Sequence, residues 1–163
     1  MTTPAPFRIL FVCMGNICRS PAAEIIFRRM VGEAGLTNRV EIDSAGTIGS
    51  HAGSPPDSRM AATLRARGYV VAGTARRVTR ADLEHFDLVL AMDDENFGDL
   101  VKLAKHDVSL TPKIHKFVEF CERHTTSLVP DPYYGGPEGF ERVADILEDG
   151  CHGLLAFLNK RTR

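Results

Sequence analysis

A thiol, an arginine and a serine stand close together in Cys13-Met14-Gly15-Asn16-Ile17-Cys18-Arg19-Ser20-Pro21, directly after the apolar run Ile9-Leu10-Phe11-Val12. Those residue types in that order suit the capture of a phosphoryl group. Backbone N–H groups of a small-residue turn at the positive end of a helix converge on an anion, and an arginine supplies a fork of donors to its oxygens. The same field favours the thiolate of Cys13, the form in which cysteine is a nucleophile. The donors expected to line the cradle are the amides from Met14 through Gly15, Asn16, Ile17 and Cys18 to Arg19. Gly15 removes a side chain where backbone approaches the ligand, and Asn16 tolerates the left-handed backbone that such a loop demands. Ser20 can hydrogen-bond the sulfur and so steady it as a leaving thiolate. The glycine-lysine pair of a nucleoside-triphosphate loop is missing.

These side chains need a strand before them and a helix after. Residues 8–13 are β-branched and aromatic, as in a strand buried on both faces of a parallel sheet. Ser20 reads as an N-cap with Pro21 at the first helical position, opening a helix that stops near Gly32 or Gly35. Further along, 40–45 reads as a strand, 46–56 as a Gly/Ser/Pro loop, 57–67 as a helix, 86–92 as a strand and 94–103 as a helix. A fourth strand falls within 113–117, and 139–160 reads as a long helix that Gly150 and Gly153 can bend or break. Strands alternating with helices predict an α/β fold: a single three-layer domain over residues 1–163, with a doubly wound four-stranded parallel sheet and helices on both faces. Residues 1–6 are expected to form a flexible extension. In such sheets ligands bind beyond the carboxyl ends of the strands, where Cys13 stands.

The bulk properties bound the partners. A chain of 163 residues that is 44% hydrophobic and 25% charged suits a soluble globular domain, and a net charge of -1 argues against bulk affinity for nucleic acid. No basic leader with a long apolar run opens the sequence, and no segment approaches the ~20 apolar residues that span a bilayer, so the expectation is a cytoplasmic protein without a membrane partner. Four cysteines, Cys13, Cys18, Cys121 and Cys151, are too sparse for a disulfide framework. The six histidines show no metal-ligand spacing and read as surface residues, so neither metal nor cofactor is expected.

At these residues the chain resembles the low-molecular-weight protein tyrosine phosphatases, and the likeness extends over nearly its whole length. Besides the first loop it includes Asp43-Ser44-Ala45-Gly46, Pro55-Pro56-Asp57, Met92-Asp93 and Asp131-Pro132-Tyr133-Tyr134-Gly135. The resemblance implies Cys13 as nucleophile, Arg19 as phosphate clamp and Asp131 as the acid that protonates the leaving oxygen. Physical chemistry accommodates that: expelling a phenolate needs a proton donor, hydrolysing the phosphocysteine needs a base, and one carboxyl can serve both in turn. Asp131 precedes Pro132, which biases it toward extended backbone. Tyr133 and Tyr134 can form a wall for an aryl substrate. By the same resemblance Ser44 and Asn16 brace the loop, and Cys18 can bond to the nucleophile under oxidation, protecting it from irreversible products. Cys121 and Cys151 read as packing residues. The expected enzyme is a metal-independent monomer that acts on tyrosine-phosphorylated protein and releases inorganic phosphate.

Two positions depart from the family pattern. Relatives carry an aromatic residue on the loop after the second strand where this chain has Ser50, and a histidine where it has Gly73. One aryl wall is therefore expected to be missing, and bracing of the loop must come from elsewhere. Three alternatives stay open. A protein arginine phosphatase tends to carry threonine where this chain has Ile17, and lacks the paired tyrosines. A thioredoxin-coupled arsenate reductase needs further cysteines near the third strand, and residues 78–98 contain none. A non-catalytic phosphate-binding module would have little use for Cys13, Arg19 and Asp131 together.

Overall fold

The computed structural model describes residues 4–161. Residues 4–6 of the expected extension carry no regular secondary structure, and residues 1–3 lie outside the described residues. The chain runs β1 (Phe7–Cys13), α1 (Arg19–Glu33), β2 (Val40–Gly46), α2 (Ser58–Ala66), α3 (Arg80–His85), β3 (Leu88–Ala91), α4 (Asp94–Leu103), β4 (Ile114–Lys116) and α5 (Pro137–Arg161). The four strands are all parallel, in the order β2-β1-β3-β4. β1 is therefore central, and the chain leaves it in one direction to β2 and in the other to β3 and β4. The crevice beyond its carboxyl end is the switch point of the sheet.

Period-two alternation along β1 divides the core into two layers. Ile9, Phe11 and Cys13 face a cluster built with Ile26 and Phe27 of α1, Met60 and Leu64 of α2, and Phe140, Leu147 and Leu154 of α5. Leu10 and Val12 face the other side, with Val89 of β3, against Leu83 of α3 and Leu100 of α4. Helices thus cover both faces, as the apolar run of β1 predicts.

Three local expectations are corrected. Ser20 is not the N-cap of α1: the helix begins at Arg19 after Cys18, which makes no side-chain cap. The Ser20 hydroxyl is occupied instead beside the sulfur of Cys13. Helix α3 was not foreseen, because only Leu83 of its six residues is buried. What starts it is a capping box, with Thr79 and Asp82 each accepting the other's backbone N–H. Finally, Gly150 and Gly153 do not interrupt α5, which runs unbroken from Pro137 to Arg161. They permit close approach: a Cβ on Gly150 would overlap the Phe117 ring, and one on Gly153 the Phe120 carbonyl.

That packing sets the sign of a substitution. Helix propensity alone favours Gly150→Ala by about 1 kcal/mol. Phe117 is fully buried, however, and has no room to retreat. Overpacking of this kind costs about 1–3 kcal/mol. Gly150→Ala is expected to lower the urea midpoint at unchanged m-value; a raised midpoint would mean the ring yields.

Candidate active site

The turn after β1 brings its polar groups to the sulfur. Asn16 N–H donates to Cys13 Sγ at 3.3 Å, and Ser20 Oγ lies 3.0 Å from it. With the sulfur ionised the hydroxyl is the donor, so two donors from one loop stabilise negative charge there. Asn16 takes the left-handed conformation expected of it, with φ 57°. From there its amide donates to Ser20 Oγ at 2.8 Å and Ser44 Oγ at 3.0 Å, and its Oδ1 accepts the Arg76 N–H at 3.0 Å. The Ser44 hydroxyl in turn donates to Glu24 Oε1 at 2.6 Å, and Glu24 also accepts from Arg28. This network answers the absence of a histidine at position 73. Glu24 terminates it, and Gly73 sits at φ 102°, a conformation that side-chain-bearing residues resist.

Arg19 begins α1 yet is only 3% exposed. Its Nη1 donates to Asp93 Oδ2 at 2.7 Å and to the Val129 carbonyl at 3.0 Å, and its Nη2 lies 3.7 Å from Asp131 Oδ2. Asp93 is itself the N-cap of α4, accepting the Asn96 N–H at 2.8 Å. One carboxylate thus caps a helix and holds the guanidinium in place. Asp131 is 37% exposed, and its Oδ1 accepts the Tyr133 N–H at 3.1 Å, a turn that ties one carboxyl oxygen to its own chain and leaves Oδ2 toward Arg19. Arg59 of α2 lies over the Tyr133 ring and donates to the Tyr133 carbonyl at 3.0 Å.

The pocket these elements enclose measures about 220 Å³. Cys13, Met14, Gly15, Ile17, Cys18 and Arg19 form its floor, and Asp131, Tyr133, Tyr134 and Ser50 its rim. Asn16 and Ser20, expected to touch the substrate, are buried and line none of it; their side chains act beneath the loop. Ser44 likewise lies beneath the loop, where it accepts from the Asn16 amide. Tyr134 is 92% exposed and stands edge-on to Tyr133, so the wall proper is Tyr133. A larger cavity, about 570 Å³, opens between Met30 and His152, but no cysteine, serine or threonine lines it.

The two rim histidine and loop positions read differently in three dimensions. Sequence reading took His51 for a surface residue, yet it lines the pocket, its ring centroid 6.3 Å from that of Tyr133. Ile48 joins the same rim. Asp93 and Glu24 were also missed as functional residues. The signal for Asp93 was available: an aspartate directly after a strand that neighbours β1 must sit at the same carboxyl edge. Nothing comparable marks Glu24 or His51. Burial, with the negative charges of Asp57, Cys13 and Asp131 adding to it, pushes the Cys18 thiol up to about 12. Cys151 is buried in the core and Cys121 partly so, as packing residues should be. Among the described residues no cluster of histidine, cysteine or acidic side chains is arranged to hold a metal ion.

The chain has close relatives. The family described as "Low molecular weight phosphotyrosine protein phosphatase" matches it over residues 8–163. YfkJ of Bacillus subtilis, a low molecular weight protein-tyrosine-phosphatase, is 42% identical over 153 residues, covering 93% of this chain and 96% of its own. Its crystal structure superposes with a TM-score of 0.92, covering 99% of this chain and 100% of that one. A protein tyrosine phosphatase from Entamoeba histolytica, crystallised with Hepes in its active site, gives a TM-score of 0.91 at 43% identity, covering 96% and 99%. An arginine phosphatase from Drosophila shares the fold at a TM-score of 0.84 and 30% identity, covering 91% and 96%. With the match running from β1 through α5, the chain belongs to the low molecular weight phosphotyrosine protein phosphatase family.

Proposed function

We propose that the chain hydrolyses phosphotyrosine on proteins through a phosphocysteine. The observation that carries this reading is the meeting of Cys13, Arg19 and Asp131 in one pocket walled by Tyr133. Thiolate Cys13 attacks phosphorus in line with the leaving phenolic oxygen, forming the S–P bond as the P–O bond breaks. Asp131 gives that oxygen its proton. The resulting carboxylate then takes a proton from water, the water oxygen attacks phosphorus, and the S–P bond breaks to return the thiolate and inorganic phosphate. Arg19 and the loop amides meet the equatorial oxygens in both steps, supplying the positive field that no metal need provide. Asp93 keeps the guanidinium oriented, so its donors require no reorganisation when charge develops.

The cytoplasm and a monomeric state complete the proposal; among the described residues no helix is long and apolar enough to cross a membrane. Cys18, a floor residue of the same pocket, is the partner available to an oxidised Cys13. A second substrate reading, phosphoarginine, draws on the Drosophila relative and on the open rim at Ser50. Ile17 favours phosphotyrosine, because protein arginine phosphatases tend to carry threonine there, and the Tyr133 wall offers an aryl ring a stacking surface.

Three measurements test these assignments. With phenyl phosphate, Cys13→Ser should abolish turnover while still binding inorganic phosphate, and Asp131→Ala should lower kcat/KM about 100- to 1000-fold. Full activity in Asp131→Ala would remove it from the acid role. Phosphotyrosine peptides should be hydrolysed at least tenfold faster than phosphoarginine peptides, about 1.4 kcal/mol of discrimination; the reverse order would transfer the enzyme to the other substrate. A thiol titrating near 12 is protonated at pH 7, so iodoacetate at that pH should label Cys13 and spare Cys18. Mass mapping that finds Cys18 labelled first would contradict the assigned nucleophile.

A further inference from the structure

The proposed acid stands on a long irregular stretch, residues 121–136, with no helix or strand of its own. Around the pocket that stretch is tied by the site itself. Val129 N–H donates to the Met92 carbonyl at 2.8 Å, Arg19 holds the Val129 carbonyl, and Arg59 the Tyr133 carbonyl. Lys116 reaches the Ser127 carbonyl at 3.1 Å. None of these ties governs where the stretch begins.

Its beginning is held by one carboxylate. Asp149, in the middle of α5, has a side chain only 5% exposed. Its Oδ1 accepts the Glu122 N–H at 2.9 Å, and its Oδ2 accepts the Arg123 N–H at 3.0 Å and the His124 N–H at 2.8 Å. His124 Nδ1 lies 2.7 Å from the same Oδ2. Burial raises the pKa of this carboxyl, but the converging donors outweigh it and bring it to about 2, so the anion persists at every working pH. The next turns of α5 complete the seat: Gly150 and Gly153 leave room for Phe117 and the Phe120 carbonyl to press onto the helix. The stretch then ends at Pro137, the first residue of α5. A single helix therefore grips both ends of the acid-bearing segment, one by chain continuity and one through Asp149.

We propose that Asp149 is a positioning residue for the general acid, setting the reach of Asp131 by anchoring residues 122–124 on α5. The proposal rests on the reading of Asp131 as acid. An isosteric Asp149→Asn keeps the shape but turns an amide donor toward N–H groups that need an acceptor, loosening the anchor.

The experiment compares kcat/KM of the full-length enzyme for phenyl phosphate and p-nitrophenyl phosphate, whose leaving groups need protonation to different degrees, in wild type, Asp131→Ala, Asp149→Asn and the double variant. Asp149→Asn is expected to lose about tenfold with phenyl phosphate and less than about threefold with p-nitrophenyl phosphate, with the inhibition constant of inorganic phosphate unchanged. In the double variant the Asp149 substitution should add nothing, since it acts through a carboxyl already removed. Equal losses with both substrates, or full additivity, would reduce Asp149 to a stability role and overturn the proposal. If Asp131→Ala leaves the ratio unchanged, the acid assignment itself falls; if it shifts the ratio and Asp149→Asn does not, only the anchor does. Should Asp149→Asn fail to fold, His124→Ala at a side chain 38% exposed removes one bond to the carboxylate and should shift the ratio about twofold in the same direction. An unchanged ratio there counts against the anchor.

Discussion

The site depends on a buried cation that must be neutralised. Arg19 is committed to the first turn of α1 by the short loop after β1, and its guanidinium lies inside the protein. A buried charge left unpaired costs several kcal/mol. Its partner, Asp93, comes from the end of β3, and the carbonyl that shares its Nη1 comes from Val129. Satisfying one side chain therefore joins the central strand, the start of α4 and the segment that bears the proposed acid. The same geometry leaves the other guanidinium nitrogen toward Asp131 and the pocket. What stabilises the resting fold also orients the guanidinium proposed to clamp phosphate oxygens.

A second layer of polar contacts fixes the loop itself. Asn16 spends its side-chain amide on Ser20, Ser44 and the Arg76 backbone, and the chain of hydrogen bonds ends at Glu24. Buried networks of this kind are stable when every member is satisfied. Here the glutamate terminus stands outside the pocket, so its negative charge is held away from the sulfur while neutral donors are aimed at it. The departure at Gly73 is tolerated because the network closes without that position. At the rim the departure is different in kind: Ser50 lines the pocket without filling it, and His51 and Ile48 take up the edge.

How much could be read beforehand follows contiguity along the chain. The strand, turn and helix of residues 7–33 were legible because a continuous apolar run, a small-residue turn and helix formers follow one another. The precise helix start was not, since Ser20 has the chemistry of an N-cap but its hydroxyl is drawn to Cys13 and Asn16. Gly150 and Gly153 looked like helix breakers and are contact points, a distinction that only the neighbours Phe117 and Phe120 can make. His51 carried no pattern that separates a rim residue from a solvated one.

By itself the sequence determined the local frame of the proposed chemistry: a thiol at the end of a buried strand, followed by a small-residue turn and an arginine, all within one segment whose geometry is local. Tertiary structure alone decided which charges complete it. Arg19 finds Asp93 at 74 positions' remove and the Val129 carbonyl at 110. The start of the acid segment finds Asp149 on a helix that begins only after that segment has passed the pocket. Such pairings depend on strand order, helix packing and the cost of burying unpaired charge, and these arise only when the whole chain has closed around the sheet.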